Sequence, residues 1–246
     1  FVTDSAETGK NHLYRNNRDF TFTDVAANAG VAGGNDAADA SADALWLDYD
    51  NDGRPDLLVV RFGHNQLFHN LGNGRFAEVT EKAGFAATPG KGMGVSIADF
   101  NDDGWLDIFI ANDTEPNFIF MNQKNGTFEE KGLRMGVAYN ENARVGSSMG
   151  SDAKDFNNDG TVDIFYNNLM GQVWQLLRNR GELFQFYSSV SQIRKLSMPF
   201  SGWSTGFIDY NNDGWKDIYS SNGDVDMVNA KSPQHAPAIT DYVAEF

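Results

Sequence analysis

One nine-residue pattern occurs four times in this chain: Asp, an aromatic residue, Asp or Asn, Asn or Asp, Asp, Gly, two variable residues and a final Asp. The copies begin at Asp48, Asp99, Asp155 and Asp209, so successive starts lie 51, 56 and 54 residues apart. A period in that range signals a stacked array of one small supersecondary unit. The segments between the loops repeat as well. Each loop runs into an apolar, β-rich stretch at 57–62, 108–111, 164–166 and 218–219. A second run follows in three units at 66–70, 117–122 and 173–179, and then a Gly-containing turn leads to a short strand at 72–76, 124–128 and 180–184. The Asn-Gly pairs at 73–74 and 125–126 suit a type I′ hairpin turn, because both residue types accept positive φ. One further strand precedes the loop, as at 93–98 and 205–208. No segment of helical period and useful length competes with these strands.

Four antiparallel strands per unit predict an all-β chain folded as a β-propeller, an architecture that leaves only short, protected sheet edges. The expected division is a partial first blade and link at 1–40, complete blades at 41–88, 89–140 and 141–196, and a partial blade at 197–246. Residues 1–16 align with 109–122, which places Phe1 inside a second strand and implies an acidic loop just upstream of it. Residues 227–246 do not show the expected hairpin pattern. The chain therefore reads as a section of a larger ring.

The loops carry the chemistry. Oxygen side chains stand at positions one, three, five and nine in every copy: Asp48, Asp50, Asp52 and Asp56; Asp99, Asn101, Asp103 and Asp107; Asp155, Asn157, Asp159 and Asp163; Asp209, Asn211, Asp213 and Asp217. Position seven varies (Arg54, Trp105, Thr161, Trp215), as expected where only a backbone carbonyl is used. Position six is always Gly, where a sharp turn needs a backbone free of Cβ. Alternating oxygens of this kind wrap a hard cation at about 2.3–2.6 Å in the manner of Ca²⁺. Mg²⁺ requires tighter octahedral geometry, and Zn²⁺ prefers the His and Cys that the loops lack. An EF-hand would need Glu at the twelfth position, which is Val59, Ile110, Tyr166 or Ser220 here. Four Ca²⁺ ions would move the formal charge from −15 to −7.

A net charge of −15 disfavours nucleic acid and anionic membrane surfaces as partners. The chain has no Cys, so disulfides and thiolate metal sites are excluded. Its apolar runs are strand-sized, which argues against membrane insertion. The motif Asp-x-Asp/Asn-x-Asp-Gly-x-x-Asp followed by a strand resembles the FG-GAP, or VCBS, repeat of integrin α-subunit propellers. Residues 67–84, LFHNLGNGRFAEVTEKAG, are similar to bacterial secreted propellers related to cartilage acidic protein. That resemblance implies a seven-bladed parent ring, Ca²⁺ sites, an extracellular, cell-surface or periplasmic location, and a non-catalytic role in adhesion or protein interaction.

In an up-and-down blade the calcium loops share one face and the longer links gather on the other. Those links carry Lys91, Tyr139, Asn140, Glu141, Arg144, Arg194, Lys195 and Phe200, the expected surface for a protein or glycan partner. Trp105 and Trp215 are expected to pack against neighbouring blades. Tyr49, Phe100, Phe156 and Tyr210 are expected in the inter-blade core. His64 and His69 stand apart from other ligands and read as strand-edge residues. Asn112-Asp-Thr and Asn125-Gly-Thr fit the N-glycan acceptor pattern. The competing readings are a propeller module of a polysaccharide lyase or hydrolase, and a subunit that assembles with other chains in a surface layer or filament. The first needs paired carboxylates across a cleft, and the spare Glu115, Glu141 and Glu182 are not paired in sequence.

Overall fold

The computed structural model describes residues 1–4, 10–33, 40–223 and 242–244. The first unit contains β1 (Tyr14–Asn16), β2 (Phe22–Asp24) and α1 (Ala26–Ala29). The second has β3 (Ser41–Leu47), β4 (Asp56–Gly63), β5 (Gln66–Gly72), β6 (Arg75–Glu78) and α2 (Thr80–Ala83). The third has β7 (Gly90–Ala98), β8 (Asp107–Asn112), β9 (Phe118–Asn122), β10 (Phe128–Glu130) and α3 (Gly132–Met135). The fourth has β11 (Ser151–Lys154), β12 (Asp163–Tyr166), β13 (Gln175–Asn179), β14 (Phe184–Phe186) and α4 (Ile193–Ser197). The last has β15 (Gly202–Ile208), β16 (Asp217–Asn222) and β17 (Tyr242–Ala244). Within each unit consecutive strands pair antiparallel, giving the meander of a partial propeller.

In β4, β8 and β12 the second strand of the unit is a largely apolar run because both of its faces are buried. Successive side chains point to opposite faces of a strand. On β4, Leu57 and Val59 join Ala26, Ala29 and Val31 of the first unit, whereas Leu58 and Val60 join Phe85, Phe118 and Phe120 towards the third. On β8, Ile108 and Ile110 face back into that same cluster, while Phe109 and Ala111 face forward to Ile164 and Tyr166. Each blade is thus glued to two neighbours through one strand. A fully buried Leu or Ile contributes about 1.5–3 kcal/mol, so these interfaces dominate the stability of the array.

The blades are also joined through their backbones. The end of β4 pairs with the start of β7 (Phe62↔Lys91, Gly63↔Gly90), fusing two units into an eight-stranded sheet. The same hook recurs as the Asp113↔Ser147 bridge, and as the Gly202 N–H donating to the Asn168 carbonyl at 3.0 Å.

Other expectations are met or revised. Val2 bridges His12 in the register of Ile110 with Phe118, as the alignment of residue 1 with residue 109 requires. Asn73 and Gly74 both take positive φ, as a type I′ turn demands. At 123–127 positive φ falls on Lys124 and Gly126 instead, in a longer turn closed by the Gln123 N–H donating to the Thr127 carbonyl. β17 pairs with β16 and supplies a third strand where the sequence shows no hairpin; residues 224–241 lie outside the described ones. Tyr49 and Phe100 are buried between blades, and Phe156 packs on Phe207 of the next unit, but Tyr210 is 47% exposed. Among the described residues no later blade lies over Tyr210. Among the described residues, too, no helix is long and apolar enough to cross a membrane.

The short helices were not legible as helices because four residues are too few to show a period. The first three of them end on a left-handed Gly: Gly30, Gly84 and Gly136. Gly84 sits at φ 94°, and a Cβ there would lie 2.8 Å from the Phe128 carbonyl oxygen of the next blade. Substituting Gly84→Ala should therefore cost about 2–3 kcal/mol, from backbone strain plus displaced blade contact. Gly74→Ala, with φ 73° and open space around it, should cost about 1 kcal/mol. Urea unfolding of both variants checks this; equal losses would remove the blade-contact argument.

Candidate metal centre

Each acidic loop links the first two strands of its unit, and all four copies close the same way. In the loop at 99–107, the Asp103 N–H donates to Asp99 Oδ1 at 2.9 Å and the Gly104 N–H to Asp99 Oδ2 at 2.6 Å. The Trp105 N–H donates to Asp103 Oδ1 at 3.0 Å. The ninth residue, Asp107, accepts the Phe100 N–H on one oxygen and the Asn122 N–H on the other, at 3.0 and 2.8 Å. The equivalent bonds to Asp48, Asp52 and Asp56, to Asp155, Asp159 and Asp163, and to Asp209 and Asp213 repeat this arrangement. In the last loop Asp217 accepts the Tyr210 N–H. The backbone therefore aims the carboxylates inward before any ligand arrives.

Two positions bend the loop. The sixth, Gly104 in this copy, takes φ 85° with nothing near its missing Cβ, so the need is purely conformational. The fourth takes left-handed φ without being Gly: Asn51 55°, Asp102 56°, Asn158 57° and Asn212 59°. Asn and Asp tolerate that region better than other side chains, which explains an Asn/Asp restriction that oxygen ligation leaves unexplained. Asn51 also donates to the Gly104 carbonyl at 3.2 Å, and Asn158 to the Gly214 carbonyl at 3.1 Å. Neighbouring loops are thereby tied together, except that Asp102 has no amide to give.

The ninth residues Asp56, Asp107 and Asp163 are fully buried, and Asp217 nearly so. Burial pushes the Asp107 carboxyl up to about 6 and Asp163 to about 7, and the charges at positions five and one push them further in the same direction. Asp56 and Asp217 shift upward for the same leading reason. The carboxylates of one loop thus repel one another across a common space, the condition that a divalent cation relieves. Asp159 moves the other way, down to about 2, held by the Thr161 hydroxyl and then by Arg178 at 2.7 Å. In the loop at 48–56, ligand oxygens of Asp48, Asp50 and Asp56 lie within 4.8 Å of one another, and Asp50 Oδ1 is buried without a hydrogen-bond partner. This donor set fits an oxygen-seeking divalent ion.

Several sequence expectations need correction. At position seven two side chains also act within their loops: Thr161 Oγ1 donates to Asp159 at 2.5 Å and the Arg54 guanidinium pairs with Asp52. Trp215 is 53% exposed rather than packed on a blade, whereas Trp105 is half-buried. His69 is not isolated: its Nδ1 lies 3.3 Å from Asp50 Oδ2 and 3.2 Å from Asp56 Oδ1. His64 stays exposed in the β4–β5 turn. Asn112 is wholly buried and donates to the Pro116 carbonyl, which bars it as a glycan acceptor, while Asn125 is exposed.

A residue class that sequence reasoning passed over fastens the second and third loops to the loops before them. Asn122 Nδ2 donates to the Tyr49 carbonyl of the preceding loop at 2.8 Å and to the Leu106 carbonyl of its own loop at 3.2 Å. Asn179 does the same for Phe100 and Val162. The signal was present, since Asn16, Asn70, Asn122 and Asn179 recur at or near the end of the equivalent strand in successive units.

On the opposite face, Asn140, Glu141, Arg144 and Arg194 line one cavity of about 320 Å³, joined by Asn168 and Gln172. Glu141 is committed there to Arg194 at 2.5 Å and to Ser189. Lys91 faces Glu115 at 3.8 Å, and Phe200 packs on the last core cluster.

With this geometry in view, three overlapping FG-GAP-like repeats match residues 48–110, 99–166 and 155–220. The chain belongs to the FG-GAP-like repeat family. It is 31% identical over 159 residues to human cartilage acidic protein 1, covering 59% of this chain and 21% of that protein. The Xenopus tropicalis counterpart is 34% identical over 113 residues, covering 44% of this chain and 16% of its own. The chain thus spans about a fifth of the length of the curated relatives it matches. Among solved structures, an Agrocybe aegerita lectin described by its recognition of non-reducing terminal N-acetylglucosamine superposes with a TM-score of 0.50. That match covers 91% of this chain and 62% of the lectin at 19% identity, a likeness of fold.

Two substitutions test the closure. Asn122→Ala leaves the buried Tyr49 and Leu106 carbonyls without their donor and should cost about 2–3 kcal/mol in urea unfolding. Asp102→Asn supplies the missing bridge to the Gly160 carbonyl and should stabilise by about 0.5–1 kcal/mol. A destabilised Asp102→Asn protein would show that the bridges at Asn51 and Asn158 do not transfer to this blade.

Proposed function

We propose that this chain is a section of a non-catalytic, calcium-stabilised extracellular propeller that serves as an adhesion or protein-interaction scaffold. The observation that carries the reading is the fourfold repeat of a backbone-closed loop that buries its ninth carboxylate near other carboxylates of the same loop, whose repulsion a divalent ion would relieve. An all-oxygen set of carboxylates, an amide and a carbonyl suits Ca²⁺, and extracellular modules of this kind hold it at about 10⁻⁴ to 10⁻³ M. The ligands would be Asp48, Asp50, Asp52 and Asp56 and their counterparts, with the carbonyls of Arg54, Trp105, Thr161 and Trp215. Bound ions would supply the charge balance that lets every loop close, and so make metal binding part of the folding free energy.

The partner surface on this reading is the face opposite the loops, where Asn140, Glu141, Arg144 and Arg194 gather in one cavity. Its amide and guanidinium groups suit a polar protein or glycan ligand. A hydrolase would need a second carboxylate facing Glu141, and the cavity lining offers none. The relationship to cartilage acidic protein 1 supports the extracellular assignment.

Thermal unfolding in 2 mM Ca²⁺, 2 mM Mg²⁺ or chelator is the test. Four sites at about tenfold saturation contribute about 1.4 kcal/mol each. With about 2–4 °C per kcal/mol for a domain of this size, Tm should fall by at least 10 °C in chelator, and Mg²⁺ should restore little of it. Indifference to chelator would sink the calcium assignment.

A further inference from the structure

The first loop differs from the other three at two points that meet in space. Its third position is Asp50, where the others carry Asn101, Asn157 and Asn211. The β5 residue facing it is His69, where β9 has Met121 and β13 has Arg178. Arg178 answers its loop as a cation paired with Asp159, and Met121 is buried in the next inter-blade core. His69 does neither.

The His69 Nδ1 stands 3.3 Å from Asp50 Oδ2 and 3.2 Å from Asp56 Oδ1. It is shut off from solvent and makes no hydrogen bond, and the same holds for Asp50 Oδ1. Ligand atoms of Asp50, Asp52 and His69 lie within 4.8 Å of one another, as do those of Asp48, Asp50 and Asp56. Asp50 belongs to both groups, and with Asp56 it brings two carboxylates against the one imidazole. The Tyr49 ring meets His69 edge-on at 6.1 Å and 86°, which restrains the imidazole. Ligands about 2.0–2.1 Å from a tetrahedral Zn²⁺ stand about 3.3 Å from each other, the spacing found here between nitrogen and oxygen.

We propose that this first loop, unlike the other three, is a mixed nitrogen and oxygen site selective for a borderline divalent transition ion such as Zn²⁺, with His69 as the selecting ligand. Ca²⁺ takes oxygen ligands and gains nothing from an imidazole, whereas imidazole with carboxylates suits Zn²⁺ and its neighbours. The inference deepens the calcium reading and rests on it for the other three loops.

The test is calorimetric titration of ZnCl₂ into the Ca²⁺-saturated chain and into its His69→Met variant, which carries the residue of the next blade. The wild-type chain should bind one Zn²⁺ at least tenfold more tightly than the variant and release one Ca²⁺ of four. The variant should keep four Ca²⁺. As a readout independent of the variant's folding, the His69 ring nitrogen resonance of the wild-type chain should move on adding one equivalent of Zn²⁺. Equal zinc affinity in both proteins, or an unmoved His69 resonance, would overturn the proposal and leave His69 as a counter-ion to Asp50 and Asp56. Four bound Ca²⁺ without zinc preference defeats this inference alone. Zinc bound at one site with no Ca²⁺ taken up by the other loops defeats the calcium reading alone.

Discussion

Everything in this molecule converges on the buried carboxylate that ends each acidic loop. Asp107 receives the backbone of its own loop through Phe100 and that of its own third strand through Asn122. Asn122 in turn reaches the preceding blade through the Tyr49 carbonyl. One carboxylate thereby registers a turn, a sheet and, through one amide, a neighbour. The cost is electrostatic, because the group is deprived of water beside further carboxylates and its pKa climbs towards neutrality. A structure that depends on such a group either keeps it protonated or brings positive charge to it. In the third loop Arg178 brings such charge to Asp159, and in the first His69 Nδ1 lies 3.2 Å from Asp56.

The inter-blade packing and the loops reinforce one another. Residues at alternate positions of β4, β8 and β12 feed different interfaces, so a blade cannot shift without opening two cores. Backbone hooks at one face and Asn bridges at the other fasten the two ends of those interfaces. The loop face is consequently rigid and highly charged. The opposite face carries the longer links and the cavity around Asn140 and Arg194.

The repeat, the strand order and the loop residues were legible in the amino-acid sequence because each is local: a period, an alternation, a turn composition. The Gly at position six of the loop read correctly as a bend. Other features were written plainly yet without a visible purpose. The Asn near the end of the third strand and the Asn or Asp at loop position four recur along the chain, but the bonds of Asn122, Asn179, Asn51 and Asn158 run to other blades. Short helical turns escaped because a single turn has no period. Trp215 and Tyr210 were expected to be covered on the analogy of their counterparts, but cover depends on a neighbour rather than on the residue.

The sequence by itself determined what each unit is: strands set by apolar alternation, turns set by Gly and Asn, and a carboxylate loop set by spacing, all through forces acting within about a dozen residues. Only the tertiary structure decided how units meet. It brought His69 of one strand against Asp50 and Asp56 of a loop, fused the second and third sheets through β4 and β7, and buried Asn112. Those outcomes depend on where separate segments lie once the inter-blade cores close, and packing of that kind leaves no periodic trace in the chain.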